Sequence, residues 1–516
     1  MNPKRKALFA ALPAVLALCA CSQSGGDSPS DSLESQAPSS SPSSSQGQQS
    51  TPGGALPKPS ASEVSFSFWT TFGQSNGEAV QAKADEFAAI VKEKEGVKVN
   101  ISVEYQGSYD DVLGKISKGF AIGEVPTMAI AYPDHVANYL SVQGGSMVYD
   151  LDPYMNDPIV GLGKQEYLGD SNKGQIYDAD DFVESFLDEG KHYAKEGTYS
   201  LPLMKSSEVM FYNKQAVANA FKIYRPDVLS DDERENFIAH MSWDEMMELS
   251  KIALENKDRV LSTLETPVWY DSDANFIISK MYQENIPYAS VDSHGTGHID
   301  FETGEAREKL ESWMNKTKKE YDDGLIITKG VKNTYGSDAF KSGKVLFEVG
   351  SSGGTGYNNP EGSAFEVGVA RVPANNDNPL YVTQGPTMAF LRSSKVSEEE
   401  NDAKMYYAWQ FAKYLTNPEV NDYLCIYGSE GYLPVRHSGY ETDSFLEFMD
   451  GGEIYADSAK VLINDIDGNY LNTDVFVGSA ELRSGIGGAL TQVLTGTKGV
   501  TQAISDAIST AKTFFK

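Results

Sequence analysis

The chain has 516 residues, of which 73 are Asp or Glu and 43 are Lys or Arg, giving a formal charge of -30. That balance excludes a nucleic-acid binder, which needs clustered positive charge to neutralise phosphates, and its main consequence is solubility. Of the three cysteines, Cys19 and Cys21 stand at the very start, so Cys425 is alone in the later body and no disulfide within one chain staples it.

Taken in order, Lys4-Arg5-Lys6 is a basic run and Ala7 to Ala20 is an apolar stretch broken only by Pro13. A membrane helix needs roughly 20 apolar residues, so this shorter run reads as a secretory signal. The order Leu18, Cys19, Ala20, Cys21 resembles a bacterial lipobox. It implies cleavage after Ala20 and a lipid on Cys21, which would anchor the protein at the extracellular face of the cell membrane. The plainer alternative is that both cysteines are ordinary apolar signal residues. Residues 21–62 include "SPSDSLESQAPSSSPSSSQGQQSTPGG", with hardly an apolar side chain. Such a segment cannot bury enough surface to offset its ordering entropy and is predicted to be a disordered tether. No second apolar run is long enough to span a bilayer.

The body from 63 to 515 exceeds one ordinary core, since domains usually hold about 50–250 residues, so two lobes are predicted. "EVSFSFWTTF" alternates as a strand, "EAVQAKADEFAAIVKEKEG" has helical spacing, and "VKVNISVEYQG" returns to strand. A helix over Tyr109 to Ala121, the apolar strand "TMAIAY" and a helix after Asp134 continue the alternation. The first lobe is therefore an α/β sheet, with ligands expected beyond the carboxyl ends of its strands. Farther on come a strand over Glu208 to Tyr212 and the helix "SWDEMMELSKIAL", with Ser242 as N-cap and Glu245 completing a capping box. "SDAFKSGKVLFEVGSSGGTG" then joins a helix to a buried strand and a loop of small residues suited to close approach of backbone to ligand.

The pieces "SFSFWTTFG", "VPTMAIAYPDHVANYL", "LPLMKSSEVMFYNK", "AFKSGKVLFEVGSSGG", "YYAWQFAKYLTNPEVNDYLCIYGSEGYLPVR" and "VLTGTKGVTQAISDAI" follow one another over nearly all of 63–515. In that order they resemble bacterial extracellular solute-binding proteins (family 1) of ABC importers, in the sugar and glycerol 3-phosphate group. The inserts near "KIYRPDVLSDDERENF" and over 437–470 depart from that pattern. The resemblance implies a two-lobed, periplasmic-binding-protein-like (type II) α/β fold with a hinged interlobe cleft. Lobe 1 would comprise 63–206 and about 385–440, and lobe 2 would comprise 207–384 and about 445–516. The chain would cross between them near Leu201 to Ser207, near Thr383 to Thr387 and between about Tyr440 and Tyr470. It further implies a monomeric receptor without cofactor that delivers a sugar to two permease subunits. A phosphorylated polyol such as glycerol 3-phosphate is the alternative ligand.

A sugar offers C–H faces and paired hydroxyls, so its site needs flat aromatic rings and planar polar groups. Phe72, Gln74 and Ser75, at the end of the first strand, carry both, although a polar turn accounts for them as well. Tyr132, Asp134 and His135 follow the strand "TMAIAY", where helix capping by Asp134 is the simpler account. In "VWYDSDANF", Trp269, Tyr270, Ser272 and Asn275 concentrate aromatic and amide groups, and core packing with a helix cap would explain them too. By resemblance, Ser352, Gly353 and Gly354 present backbone amides, and Arg483 offers a guanidinium that forks onto hydroxyls or a phosphate. Glu104, Tyr105 and Asp110 are weaker candidates. Arg436 in "GYLPVR" reads as part of a structural turn.

Two clusters suggest metals without fitting them well. "DSHGTGHID" reads more simply as a surface turn, and "NDIDGNYLNTD" has Ile463 where a calcium loop needs its first ligand. No nucleophile elbow, zincin helix or phosphate loop is present. A secreted glycosidase with two carboxylates is the alternative from another class, and a surface adhesin or scaffold is a third.

Overall fold

The computed structural model describes residues 55–164, 177–227, 230–359, 364–375, 378–428, 431–466 and 468–515. The signal segment 1–20, Cys21 and most of the expected tether lie outside the described residues. The last stretch of that tether is held in place. Leu56 packs against the core and its N–H donates to Asp157 at 2.5 Å, while Lys58 pairs with Glu95 at 2.8 Å.

Among the described residues the strands run, in chain order, β1 (Glu63–Thr70), β2 (Lys98–Tyr105), β3 (Met128–Ala131), β4 (Leu201–Pro202), β5 (Glu208–Asn213), β6 (Val268–Tyr270), β7 (Ala289–Val291), β8 (Gly297–Ile299), β9 (Ile326–Thr328), β10 (Phe347–Ser351), β11 (Val367–Ala370), β12 (Tyr381–Val382), β13 (Thr387–Phe390) and β14 (Tyr470–Leu471). They build two five-stranded sheets, β2-β1-β3-β13-β4 and β11-β5-β10-β6-β9. In the first, β1, β2 and β3 are parallel and β13 runs antiparallel between β3 and β4. Parallel strands need a crossover, here the helix Gln74–Glu95 between β1 and β2.

Residue type decides which surfaces these sheets bury. β1 alternates, with Val64, Phe66 and Phe68 inward, whereas β3 is buried at every position because helices cover both faces. The helix Glu398–Leu415 lies on the first sheet, with the Phe411 ring edge-on to Phe68 at 6.5 Å and the Trp409 indole donating to the Val160 carbonyl at 2.8 Å. The second core is centred on Trp243, Tyr270 and Phe276, the last two stacked with centroids 4.4 Å apart. Ser242 caps the helix Trp243–Glu255 in a full capping box with Glu245.

Three chain segments join the sheets side by side. Ser206 and Gln384 exchange both backbone hydrogen bonds, at 3.0 and 3.1 Å, and Leu203 N–H donates to Pro386 O at 3.0 Å. β12 pairs in parallel with β14, extended by Thr383 N–H on Leu471 O at 3.1 Å. Lys205, fully buried at the first crossing, makes an ion pair with the buried Glu189. Burial nevertheless dominates both partners, pushing the Lys205 amine's pKa down and the Glu189 carboxyl's up.

Candidate ligand-binding cleft

Between the sheets lies a cleft of about 960 Å³, walled by the carboxyl end of β3, by the ends of β6 and β10, and by the crossings themselves. β3 stops because Pro133 fixes the first turn of the helix Pro133–Leu140, and Tyr132 and Asp134 thereby face the cleft. The Tyr132 ring is stacked on Tyr109, centroids 3.9 Å apart and planes 15° from parallel. Burial and then the neighbouring Tyr432 raise the pKa of its phenol, and the charge of Arg483, from the other wall, opposes them.

On the second wall β6 ends at Tyr270, and Ser272 caps the helix Asp273–Gln283 by accepting from Asn275 N–H at 3.2 Å. Arg483, on the helix Ser479–Leu494, donates to the Asn275 side-chain oxygen. Behind them Tyr270 donates to Glu208 at 2.5 Å, and burial lifts the Glu208 carboxyl to about 7. The buried Glu348 and its neighbour Asp271 are raised as well, first by burial and, for Glu348, next by the Asp271 charge. Tyr335 and Tyr357 line the same wall with side chains 59% and 71% exposed, and the Lys329 amine lies 3.9 Å from the Tyr335 ring centre. Tyr288 and Asn358 also line it, both buried, and no hydrogen bond reaches the Tyr288 hydroxyl or the Asn358 side-chain oxygen.

Of the residues singled out in the sequence, Tyr132, Asp134, Ser272, Asn275, Gly353, Gly354 and Arg483 come together on this surface, as does Asp110. The others lie elsewhere, for identifiable reasons. β1 ends at Thr70, and Phe72 turns into the first core, 6% exposed. Gln74 and Ser75 are exposed at the start of the helix Gln74–Glu95, where Gln74 donates to Glu78 at 3.1 Å. Trp269 and Tyr270 belong to β6, between β10 and β9, and are buried; the Trp269 ring fills the space beside Gly336. His135 is buried behind the wall, its Nε2 3.8 Å from Asp110 and 3.9 Å from Asp134. Ser352 is covered by Gly431 and donates its N–H to Ser207 O at 2.8 Å.

Sequence reasoning missed Tyr335, Tyr357, Glu208, Asp271 and Gln384. The two tyrosines did carry a signal, since each stands among turn residues ("NTYGS", "GTGYNN") where a large ring has no core to enter. Arg436 is buried, donates to Thr416 O at 2.8 Å and lies 3.8 Å from the Phe182 ring centre. The "DSHGTGHID" segment forms the β7–β8 turn, with Asp292 accepting from the His294 and Thr296 N–H groups. In "NDIDGNYLNTD" the carboxylates diverge: Asp465 accepts from Tyr381 at 2.6 Å, Asp474 faces His192 at 3.3 Å, and Asp467 lies outside the described residues.

Residues 84–447 match the family described as bacterial extracellular solute-binding proteins. The comparison with curated proteins gives no match. Solved structures similar to the chain include the GacH receptor of Streptomyces glaucescens, crystallised unliganded and with acarbose (18% identity, TM-score 0.59, 88% of this chain and 100% of that one). UgpB from Mycobacterium tuberculosis in complex with glycerophosphocholine is similar at 18% identity, TM-score 0.60, over 87% of this chain and 98% of that one. The ABC substrate-binding protein Lmo0181 from Listeria monocytogenes, in complex with cycloalternan, is similar at 14% identity and TM-score 0.60, over 88% of this chain and 100% of that one. At these identities the likeness establishes the two-lobed α/β fold.

Proposed function

The chain belongs to the bacterial extracellular solute-binding proteins, and on that premise we propose that it is the receptor of an ABC importer that captures a carbohydrate between its lobes. The observation that carries this reading is the pairing of exposed rings with planar polar groups in one cleft. Tyr335 and Tyr357 offer faces for sugar C–H patches, while the Gln384 amide and the guanidinium of Arg483 offer planar hydrogen bonding. Contacts to both walls are required, because a ligand favours the closed form only by its differential affinity for it. Tyr132 and Asp134 would supply them from one lobe, and Ser272, Asn275, the Gly353–Gly354 backbone and Arg483 from the other.

A phosphorylated polyol fits less well. Its charge would face the carboxyls of Asp134, Glu208 and Asp271 on the cleft surface. The family is one of binding proteins, so the glycosidase reading has no support from it. In this proposal Cys21 carries the lipid, 1–20 is removed, the tether holds the receptor at the extracellular face of the membrane, and two permease subunits take the ligand from a monomer.

The test is a thermal-shift screen over mono-, di- and oligosaccharides and glycerol phosphates. A ligand that binds only the native state raises its stability with concentration. We expect a rise with a saccharide, no hydrolysis of it, and no rise with the phosphates. Silence throughout would favour a scaffold instead.

A further inference from the structure

Resting on the carbohydrate reading, we propose that the insert over 437–470 belongs to the binding apparatus: through Ser458 it holds the glycine-rich turn that presents Tyr357 to the sugar. Tyr357 is then the group that touches the sugar, and Ser458 and Thr355 are positioning residues.

The turn has little of its own to hold its shape. Ser352–Asn358 is a 3₁₀ helix with the sequence "SGGTGYN". Glycine loses more conformational freedom on ordering than any other residue, and the hydrogen-bond geometry of a 3₁₀ helix is poor. The start of the turn is fixed at the first crossing, where Ser352 N–H donates to Ser207 O at 2.8 Å. Between that point and Tyr357 stand Gly353, Gly354, Thr355 and Gly356, so Thr355 alone brings a side chain that can anchor the stretch. It is fully buried, and its hydroxyl meets Ser352 O at 2.6 Å and the Ser458 hydroxyl at 3.0 Å. The first bond closes the turn on itself. The second ties it to the insert.

The insert is a firm partner for this bond. Ser458 is fully buried on the helix Ile454–Asn464, which packs on β11 and on the turn and keeps Ala459 and Leu462 in the core. The same helix covers the next residue of the turn, since a Cβ at Gly356 would lie 2.9 Å from the Tyr455 hydroxyl. Thr355 and Gly356 are thus both held by the insert, and Tyr357 follows directly. With 71% of its surface exposed in the cleft, the Tyr357 side chain is aimed chiefly by its backbone. An aromatic face fixed before binding spares the complex the entropy of ordering it, so a loosened turn weakens binding without any contact residue having changed.

The experiment uses the full chain and calorimetry at neutral pH, with the saccharide of one to three rings that gives the largest rise in the thermal-shift screen. Tyr357→Ala should weaken its binding by about tenfold. Ser458→Ala should weaken it by about three- to tenfold in the wild-type chain but by less than about twofold in the Tyr357→Ala chain, because residues acting through one contact are not additive. Thr355→Val, which keeps the shape and drops the hydroxyl, should match Ser458→Ala, whereas Thr355→Ser restores the hydroxyl and should recover most of the affinity. This second pair decides the matter if Ser458→Ala does not fold. Unchanged binding in Tyr357→Ala, unchanged binding in both Ser458→Ala and Thr355→Val, or an equal loss with and without the Tyr357 ring overturns the positioning role and leaves the carbohydrate reading standing. If no saccharide binds, both fall.

Discussion

Glu208 illustrates how burial at the cleft floor makes one residue a pH-dependent element of stability. The folded chain keeps its proton up to about pH 7, whereas an exposed glutamate loses it near 4.5. Between those values the unfolded state binds fewer protons, so this contribution is fully present below about pH 4.5 and is lost as pH rises through about 7. At about 1.36 kcal/mol per unit the loss amounts to roughly 3 kcal/mol. Glu208→Gln keeps the shape and cannot ionise. Urea unfolding of the two proteins should therefore give similar stabilities near pH 4.5 and a growing advantage for the glutamine variant toward pH 7.5. A pH-independent difference would mean that Glu208 is ionised in the fold, held so by Tyr270 and Arg483.

Among the elements, the crossings show how local backbone geometry sets the cleft, and glycine substitutions read it out. Gly385 has φ of 102°, and a Cβ there would lie 2.5 Å from Met204 O and 2.9 Å from the Lys205 backbone of the neighbouring crossing. Gly385→Ala should lower stability by roughly 1–3 kcal/mol. Gly488 sits inside the helix Ser479–Leu494 with no atom within 4 Å of a Cβ. There the same substitution should raise stability, by up to about 1 kcal/mol. Denaturant midpoints of the two variants, moving in opposite directions, would check both.

The elements were more legible in the sequence than their roles. Alternation in "EVSFSFW", the capping box at Ser242 and the apolar run before Tyr132 specify strand, helix start and buried strand from local chemistry alone. The ring-bearing stretch "VWYDSDANF" misled because a central strand flanked on both edges uses its aromatics as core, and periodicity in three residues cannot reveal that. Glu208 and Gln384 were illegible for a different reason. They are brought to the cleft by pairings between segments far apart in the chain, and no local pattern encodes such contacts.

Those distant pairings also govern the molecule as a whole. The first sheet is interrupted in sequence: β1 to β4 end at Pro202, and β13, which lies between β3 and β4, arrives only at Thr387 after the second sheet has been completed. The helix Glu398–Leu415, which brings Phe411 against Phe68, comes later still. A fragment of residues 55–206 would therefore lack the strand that joins β3 to β4 and the helix that covers the sheet. Its buried face would be open to water, and β3 would have an unpaired edge. We expect this fragment to show no cooperative unfolding transition by circular dichroism, although it contains all of the sequence-local strands of the first sheet. Adding residues 385–440 through a flexible linker should restore a transition, because the missing strand and helix then return at the modest entropic cost of closing one loop. A cooperative transition in the fragment alone would show that β13 is an accessory to the first lobe. Its loss of folding would instead mean that neither lobe is complete until the chain has crossed back, so that the crossings lining the cleft are a requirement of folding before they serve as a hinge.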